Sequence, residues 1–180
     1  MTLTTTRPAT QEPVGYQEFY DNLRNRLRDS RHRAAQAMNL ELLMVYWRTG
    51  ADLIEREGRT GWGTKAARRI SQDVHRDFTA KGWAVEDIVR MRQFAESWPD
   101  PGAIADGDVG KLPWQHVGVL LDLLDCREAR ERFAEKAVRN GWSVTTLVHA
   151  IEQEPRGRLT ECLLMRREGK NLEDDEGNLE

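Results

Sequence analysis

From Tyr16 onward apolar residues recur at helical spacing, and no stretch shows the strict apolar–polar alternation of a half-buried strand. That period commits the chain to an all-α class, a compact multi-helix domain. The first stripe is Tyr16, Phe19, Tyr20, Leu23 and Leu27, so a helix is expected to start near Tyr16. The segment from Ser30 to Glu57 has no proline and a single glycine, Gly50. It reads as one long amphipathic helix with Gly50 as a candidate bend and Gly58 as the residue that stops it. Asp29-Ser30 offers a cap for a separate start, so the join to the first stripe stays open.

Gly61-Trp62-Gly63-Thr64 leads into a third helix, with Thr64 as N-cap and Ala67, Ile70, Val74 and Phe78 inward. Lys81-Gly82-Trp83 makes a turn. A fourth helix is expected over residues 85–97, with Ile88, Met91, Phe94 and Ala95 inward. Trp98-Pro99-Asp100-Pro101-Gly102 ends it, and residues 99–113 read as a loop. Pro113 then opens a helix carrying Trp114, Val117, Leu120, Leu121 and Leu124. Asp125 is the expected cap of the next helix, Arg127 to Arg139, which Asn140-Gly141 closes. Ser143 caps a last one through Leu147, Val148 and Ile151, ending before Pro155. Arg158 to Arg167 suggests one more short helix. Two turns, Lys81-Gly82-Trp83 and Asn140-Gly141-Trp142, share a plan in which glycine reverses the chain and tryptophan packs back.

A length of 180 residues allows one domain with tails. Residues 1–15, rich in Thr and Pro, are expected to be a disordered leader, residues 16–154 the helical domain, and residues 155–180 a short helix and acidic tail. The net charge of −3 excludes a polycation, yet it conceals an asymmetry. Tyr16 to Pro99 hold 15 Lys and Arg against 12 Asp and Glu, while Asn171 to Glu180 hold five acids and no base. Cys126 and Cys162 form no CxxC, so a disulfide framework is not expected and a reducing cytoplasm fits. The first 15 residues lack the apolar core of a secretory signal, and no apolar run is long enough to span a bilayer.

The chemistry-bearing residues concentrate between Gly61 and Trp98. The third and fourth helices form a helix–turn–helix-like pair whose second member mixes arginine with apolar residues. Arg90, Arg92 and Gln93 are the candidate nucleic-acid contacts there, since arginine and glutamine suit base edges and phosphates. Arg90 and Arg92 lie about 200° apart on a helix, so at most one can face a ligand squarely. Lys65, Arg68 and Arg69 on the preceding helix are the phosphate candidates. Glu86 and Asp87 at the start of the fourth helix oppose insertion of that end into a major groove. The plainer alternative is a helical hairpin with solvated basic residues and an Arg–Glu network. The Gly61 turn lacks P-loop spacing, and the four histidines lack metal-ligand spacing. Asp100, Asp106 and Asp108 sit on a loop, and residues 173–176 on a tail, without the strand-borne lysine of a metal-dependent nuclease. No catalytic residue, cofactor or metal is expected.

Four ordered segments, WGTKAARRISQDVHRDF, GWAVEDIVRMRQFAESWP, LPWQHVGVLLD and RERFAEKAVRNGWSVTTLVHAIE, resemble the N-terminal domain of YhcG-type bacterial proteins. The resemblance covers roughly Tyr16 to Glu152. It implies an α-helical domain that, in longer relatives, precedes a PD-(D/E)xK-type nuclease domain, and a link to DNA transactions or genome defence. The nuclease half is expected to be missing here. The resulting expectation is a non-catalytic module that binds DNA or targets a nuclease partner to it. The rival is a homodimer or an adaptor for a nuclease or restriction subunit, which the long helix favours. DNA, a nuclease or restriction protein and a second copy are the expected partners, with no membrane.

Overall fold

The computed structural model describes residues 13–62, 64–78 and 81–154. Among them are seven α-helices and no strand: α1 (Tyr16–Thr60), α2 (Thr64–Asp77), α3 (Val85–Ser97), α4 (Pro101–Ala105), α5 (Trp114–Leu123), α6 (Arg127–Asn140) and α7 (Val144–Glu152). A 3₁₀ turn at Val109–Lys111 separates α4 from α5. The all-α class is therefore what the helical period implied. The expected leader falls mostly outside the described residues, as do the short helix at Arg158 to Arg167 and the acidic tail.

The chain divides into two units, Met1–Ala37 and Met38–Glu180. In the first, Gly15 at φ +81° turns the chain into α1, and the Tyr16 N–H donates to the Pro13 carbonyl at 3.0 Å. Tyr16 and Tyr20 stack with ring centroids 6.1 Å apart. No described residue of this unit is buried; Tyr16, Phe19, Tyr20 and Leu27 all stand exposed.

In the second unit α1 buries Leu43, Tyr46, Gly50 and Leu53, a strict three-and-four spacing. Gly50 has a packing role. Its surface is where α3 crosses, and a Cβ there would collide with the Met91 carbonyl. The backbones approach this closely because glycine leaves room. The helix also ignores the other expected breaks. It runs through Asp29-Ser30 and past Gly58, and the positive φ of +69° falls on Gly61 instead. Glycine at position 58 costs helix propensity without ending the helix, because the chain reverses only at Gly61.

Five aromatic rings join these elements. Tyr46 lies 4.7 Å from Trp114 and 5.7 Å from Trp83, and Phe94 lies 5.4 Å from Trp98 and 5.8 Å from Trp114, in tilted or edge-on geometry. The indole N–H groups find partners. Trp47 donates to the Trp98 carbonyl at 2.7 Å, Trp98 Nε1 to Glu131 at 3.3 Å, and Trp114 Nε1 to Asp87 at 3.2 Å. The inward positions expected of α3, Ile88, Met91, Phe94 and Ala95, are all buried. The α2 stripe fades at its end, where Phe78 is 65% exposed.

The span read as a loop, residues 99–113, contains α4 and the 3₁₀ turn. Asp100 caps α4 by accepting the Gly102 N–H at 2.9 Å, Pro101 takes the first helical position, and Ile104, Val109 and Leu112 are buried. These apolar residues are too few to show a period, which is why the sequence reads as irregular there. Asn39 ties α1 to this span by donating to the Leu112 carbonyl at 2.9 Å and the Gly110 carbonyl at 3.3 Å.

Both Gly-Trp turns form. Gly82 has φ +86° and lies so near Tyr46 that a Cβ would stand 2.6 Å from the hydroxyl. Gly141 has φ +59°, and the Trp142 N–H reaches back to the Ala137 carbonyl at 3.0 Å, a Schellman closure of α6. Ser143 caps α7 through the Thr146 N–H at 3.2 Å, whereas the residue before α6 is Cys126 and not Asp125. Cys126 is disulfide-bonded, a correction to the expectation that the cysteines form no disulfide framework. Cys162 lies outside the described residues.

Candidate nucleic-acid interface

On α2, burial of Ala67 with Ile70 and Val74 half-buried turns the basic residues to solvent. Lys65 and Arg68 are exposed and make no ion pair among the described residues. Arg69 is also exposed and donates to Asp73 one turn on, at 2.9 Å. Arg76 is held between Asp73 and Asp77, both at 2.8 Å, and its guanidinium is pushed up by the Asp77 hydrogen bond first and the Asp73 charge next. The expected Thr64 cap cannot be followed, because Gly63 and the Thr64 side chain lie outside the described residues.

On α3 the two candidate arginines leave the helix in different directions. Arg90 crosses to α5, where its Nε lies 3.0 Å and its Nη2 2.8 Å from the two carboxylate oxygens of Asp122. Its aliphatic stem passes Gly118, where a Cβ would sit 3.5 Å from the Arg90 Cδ. The hydrogen bond to Asp122 raises the Arg90 guanidinium above its ordinary value, burial opposes that, and the charges of Asp122, Asp87 and Glu86 add to it. Arg92 turns to α1, donating from Nε to Glu57 at 2.8 Å, with Glu96 at 3.1 Å from Nη2. A forked guanidinium on a carboxylate fixes both partners in direction as well as distance. Gln93 is exposed.

Asp87 has a local task at the start of α3. Its carboxylate accepts the Ala84 N–H at 3.2 Å, holds the Trp114 indole, and lies 3.8 Å from Arg90. Together with burial it pushes the Tyr46 hydroxyl up, burial being the larger cause. The segment between α2 and α3, Phe78 to Ala84, is seven residues long. A DNA-reading helix–turn–helix joins its helices by about three to four. α2 and α3 pack on each other and are joined through the Gly82 turn, by a connection longer than that of a DNA-reading unit.

The structure thus gathers Lys65, Arg68 and Arg69 on one helix and places Arg90 and Arg92 in separate ion pairs. Asp122 and Glu57, their partners, were not among the candidates. They lie 32 and 35 residues away, and nothing in the local sequence signals such a pairing. A cleft of about 150 Å³ opens where Leu53, Trp62, Ala67, Ile88 and Val89 meet, with Arg92 and Glu57 at its edge. Arg56 lies over the Trp62 ring at 5.2 Å. A larger cleft, about 460 Å³, is bordered by Asp106, Asp108, Glu131, Arg132 and Glu135. Arg130, held between the Leu120 carbonyl and Ser97 Oγ, is lowered by burial, with Asp125 opposing. Buried His116 donates from Nε2 to the Trp142 carbonyl at 2.9 Å.

No group of three or more potential metal ligands occurs among the described residues, and no described helix is long and apolar enough to cross a membrane. Comparison with curated proteins and with solved structures yields no match. A family model described as the DUF1016 N-terminal domain matches residues 22–158, most of the chain. The chain belongs to this family, the N-terminal domain of YhcG-like proteins.

Proposed function

We propose that this chain is a non-catalytic module that binds DNA, or brings a nuclease partner to it. The family link to nuclease-like proteins supports the setting. The observation that carries the reading is the solvent face of α2, where Lys65 and Arg68 are exposed without an ion pair among the described residues and Arg69 pairs with Asp73 one turn on. Such cations cost little to bring to phosphate, because no buried interaction has to break. Gln93 extends the reading to α3. Arg90 and Arg92 would join only by exchanging Asp122 and Glu57 for phosphate oxygens. Contact through α2 would be phosphate contact, which positions without specifying sequence. The test is a titration of short duplex DNA with the full chain. Binding at low salt that falls steeply as salt rises is expected, since phosphate contacts release counterions. No binding at low salt overturns the reading.

The adaptor reading has an observation of its own. Met38, Leu42 and Val45 are 74, 43 and 37% exposed on α1, at positions that share one helix face. An exposed apolar row of this kind suits a second copy or a partner helix. Light scattering at micromolar concentration tests self-association, and a monomer contradicts it.

A further inference from the structure

We infer that an arginine row in the first unit, Arg24, Arg28 and Arg31 on α1, is a phosphate-binding surface for nucleic acid. The inference rests on the DNA reading above and names a surface which that reading leaves out. Residues 24–33, RNRLRDSRHR, hold five arginines and His32 against one acid, Asp29, the densest basic run in the sequence. All five arginines are exposed. Arg24 pairs with Asp21 at 3.1 Å, with both side chains largely in solvent. Arg26, Arg28, Arg31 and Arg33 make no ion pair among the described residues.

Helix geometry sorts these charges. Arg24, Arg28 and Arg31 fall within about 60° of arc and about 10 Å of helix length. Asp29 lies about 100° beyond Arg28, off the row, and Arg26 and Arg33 lie on the opposite side. Arginines at i, i+4 and i+7 repel one another and weaken a helix standing alone. A polyanion laid along the row reverses the sign of that interaction, and each guanidinium fork matches a phosphate.

The partner chemistry follows from what the segment lacks. Leu27, 51% exposed, flanks the row, and from Arg28 to Ala37 the largest apolar residue is alanine. A protein helix would find nothing to bury there, and a bilayer nothing to insert. Asn25 and His32, nearer the row, are polar residues of the kind that donate to phosphate oxygens. The large apolar residues of this unit lie nearer its start, from Tyr16 to Leu27.

The experiment titrates short duplex and single-stranded DNA with the full chain and with R24Q/R28Q/R31Q over a range of salt. Glutamine keeps the helix propensity of arginine, and circular dichroism verifies that the helix persists. The expected result is a salt slope shallower by about 2.7, or 0.9 for each phosphate no longer neutralised on duplex, and binding at least about tenfold weaker at low salt. R26Q/R33Q is expected to change the slope far less. If the natural chain binds and the triple variant keeps its slope and affinity, the row is refuted while the DNA reading stands. If the natural chain binds neither nucleic acid, both fall. An equal loss in R26Q/R33Q overturns the one-sided assignment. Equal binding of natural and triple-variant chains to DNA, with loss only on phosphatidylglycerol vesicles, overturns the choice of partner.

Discussion

Two groups of arginines in this molecule have opposite surroundings. Arg90 and Arg92 on α3 are each seated on a carboxylate from another helix, Asp122 and Glu57. Arg26, Arg28, Arg31 and Arg33 on α1 stand in solvent with no ion pair among the described residues. The residue type is the same, and the fold decides what it does. On α3 the guanidinium joins helices, and the apolar residues beside them, Met91 and Phe94, fill the core beneath. On α1 the charge is left over from folding and is available to a ligand. A basic motif on a core helix is thus engaged within the fold, while a basic run on an exposed helix is not.

The largest effect expected is on the structural side. Trp98→Ala or Phe94→Ala should cost about 3–5 kcal/mol in denaturant unfolding, because each ring is fully buried among other aromatics. A loss below about 1 kcal/mol would break the description of α3 as a core helix. Next, two glycines of α1 should respond with opposite sign. Gly50→Ala should destabilise by about 1–3 kcal/mol, since its Cβ meets the Met91 carbonyl. Gly58→Ala, whose Cβ meets nothing, should stabilise by about 0.4–1 kcal/mol.

Smaller again is the α3–α5 clamp. Asp122 is 43% exposed and Arg90 34%, so solvent screens the pair, and Asp122→Asn should cost about 1 kcal/mol or less. A double-mutant cycle with Arg90→Gln should show the two changes to be non-additive; strict additivity would dissolve the clamp. Alkaline pH gives a finer test. The Tyr46 hydroxyl is raised from its ordinary 10.0 by burial and by Asp87. The folded state therefore holds this proton after the unfolded state has released it. Stability should fall as pH rises above about 10, and Tyr46→Phe should flatten that fall. The smallest effect on stability is expected from K65Q/R68Q, within about 0.5 kcal/mol, with weaker DNA binding as its only consequence.

Much of the helical framework is legible in the sequence. The limits of α3, the reversal at Gly141 and the Ser143 cap follow from apolar period and from residues whose backbone or side chain suits one position. The continuity of α1 is not, because Ser30, Gly50 and Gly58 are permissive residues, and the helix runs through all three. Nor is the helical content of residues 99–113, where Asp100-Pro101 gives a start signal without a period to follow it. The ion pairs of Arg90 and Arg92 depend on chain segments brought together only by folding, so local spacing does not reveal them. The arginine run at residues 24–33 is in plain view, yet the apolar stripe ending at Leu27 overlaps it and masks it as part of an ordinary amphipathic helix. Charge and period coincide in the sequence there, although they occupy different parts of the helix.

On the proposed reading the α3 arginines hold the fold while the exposed ones are available to phosphate. It is tested most directly by R90Q/R92Q, followed by thermal melting and by the salt dependence of DNA binding in the same preparation. A lower melting temperature with an unchanged salt slope is expected. An unchanged melting temperature with a slope shallower by about 1.8, the mark of two phosphates no longer neutralised, would contradict it.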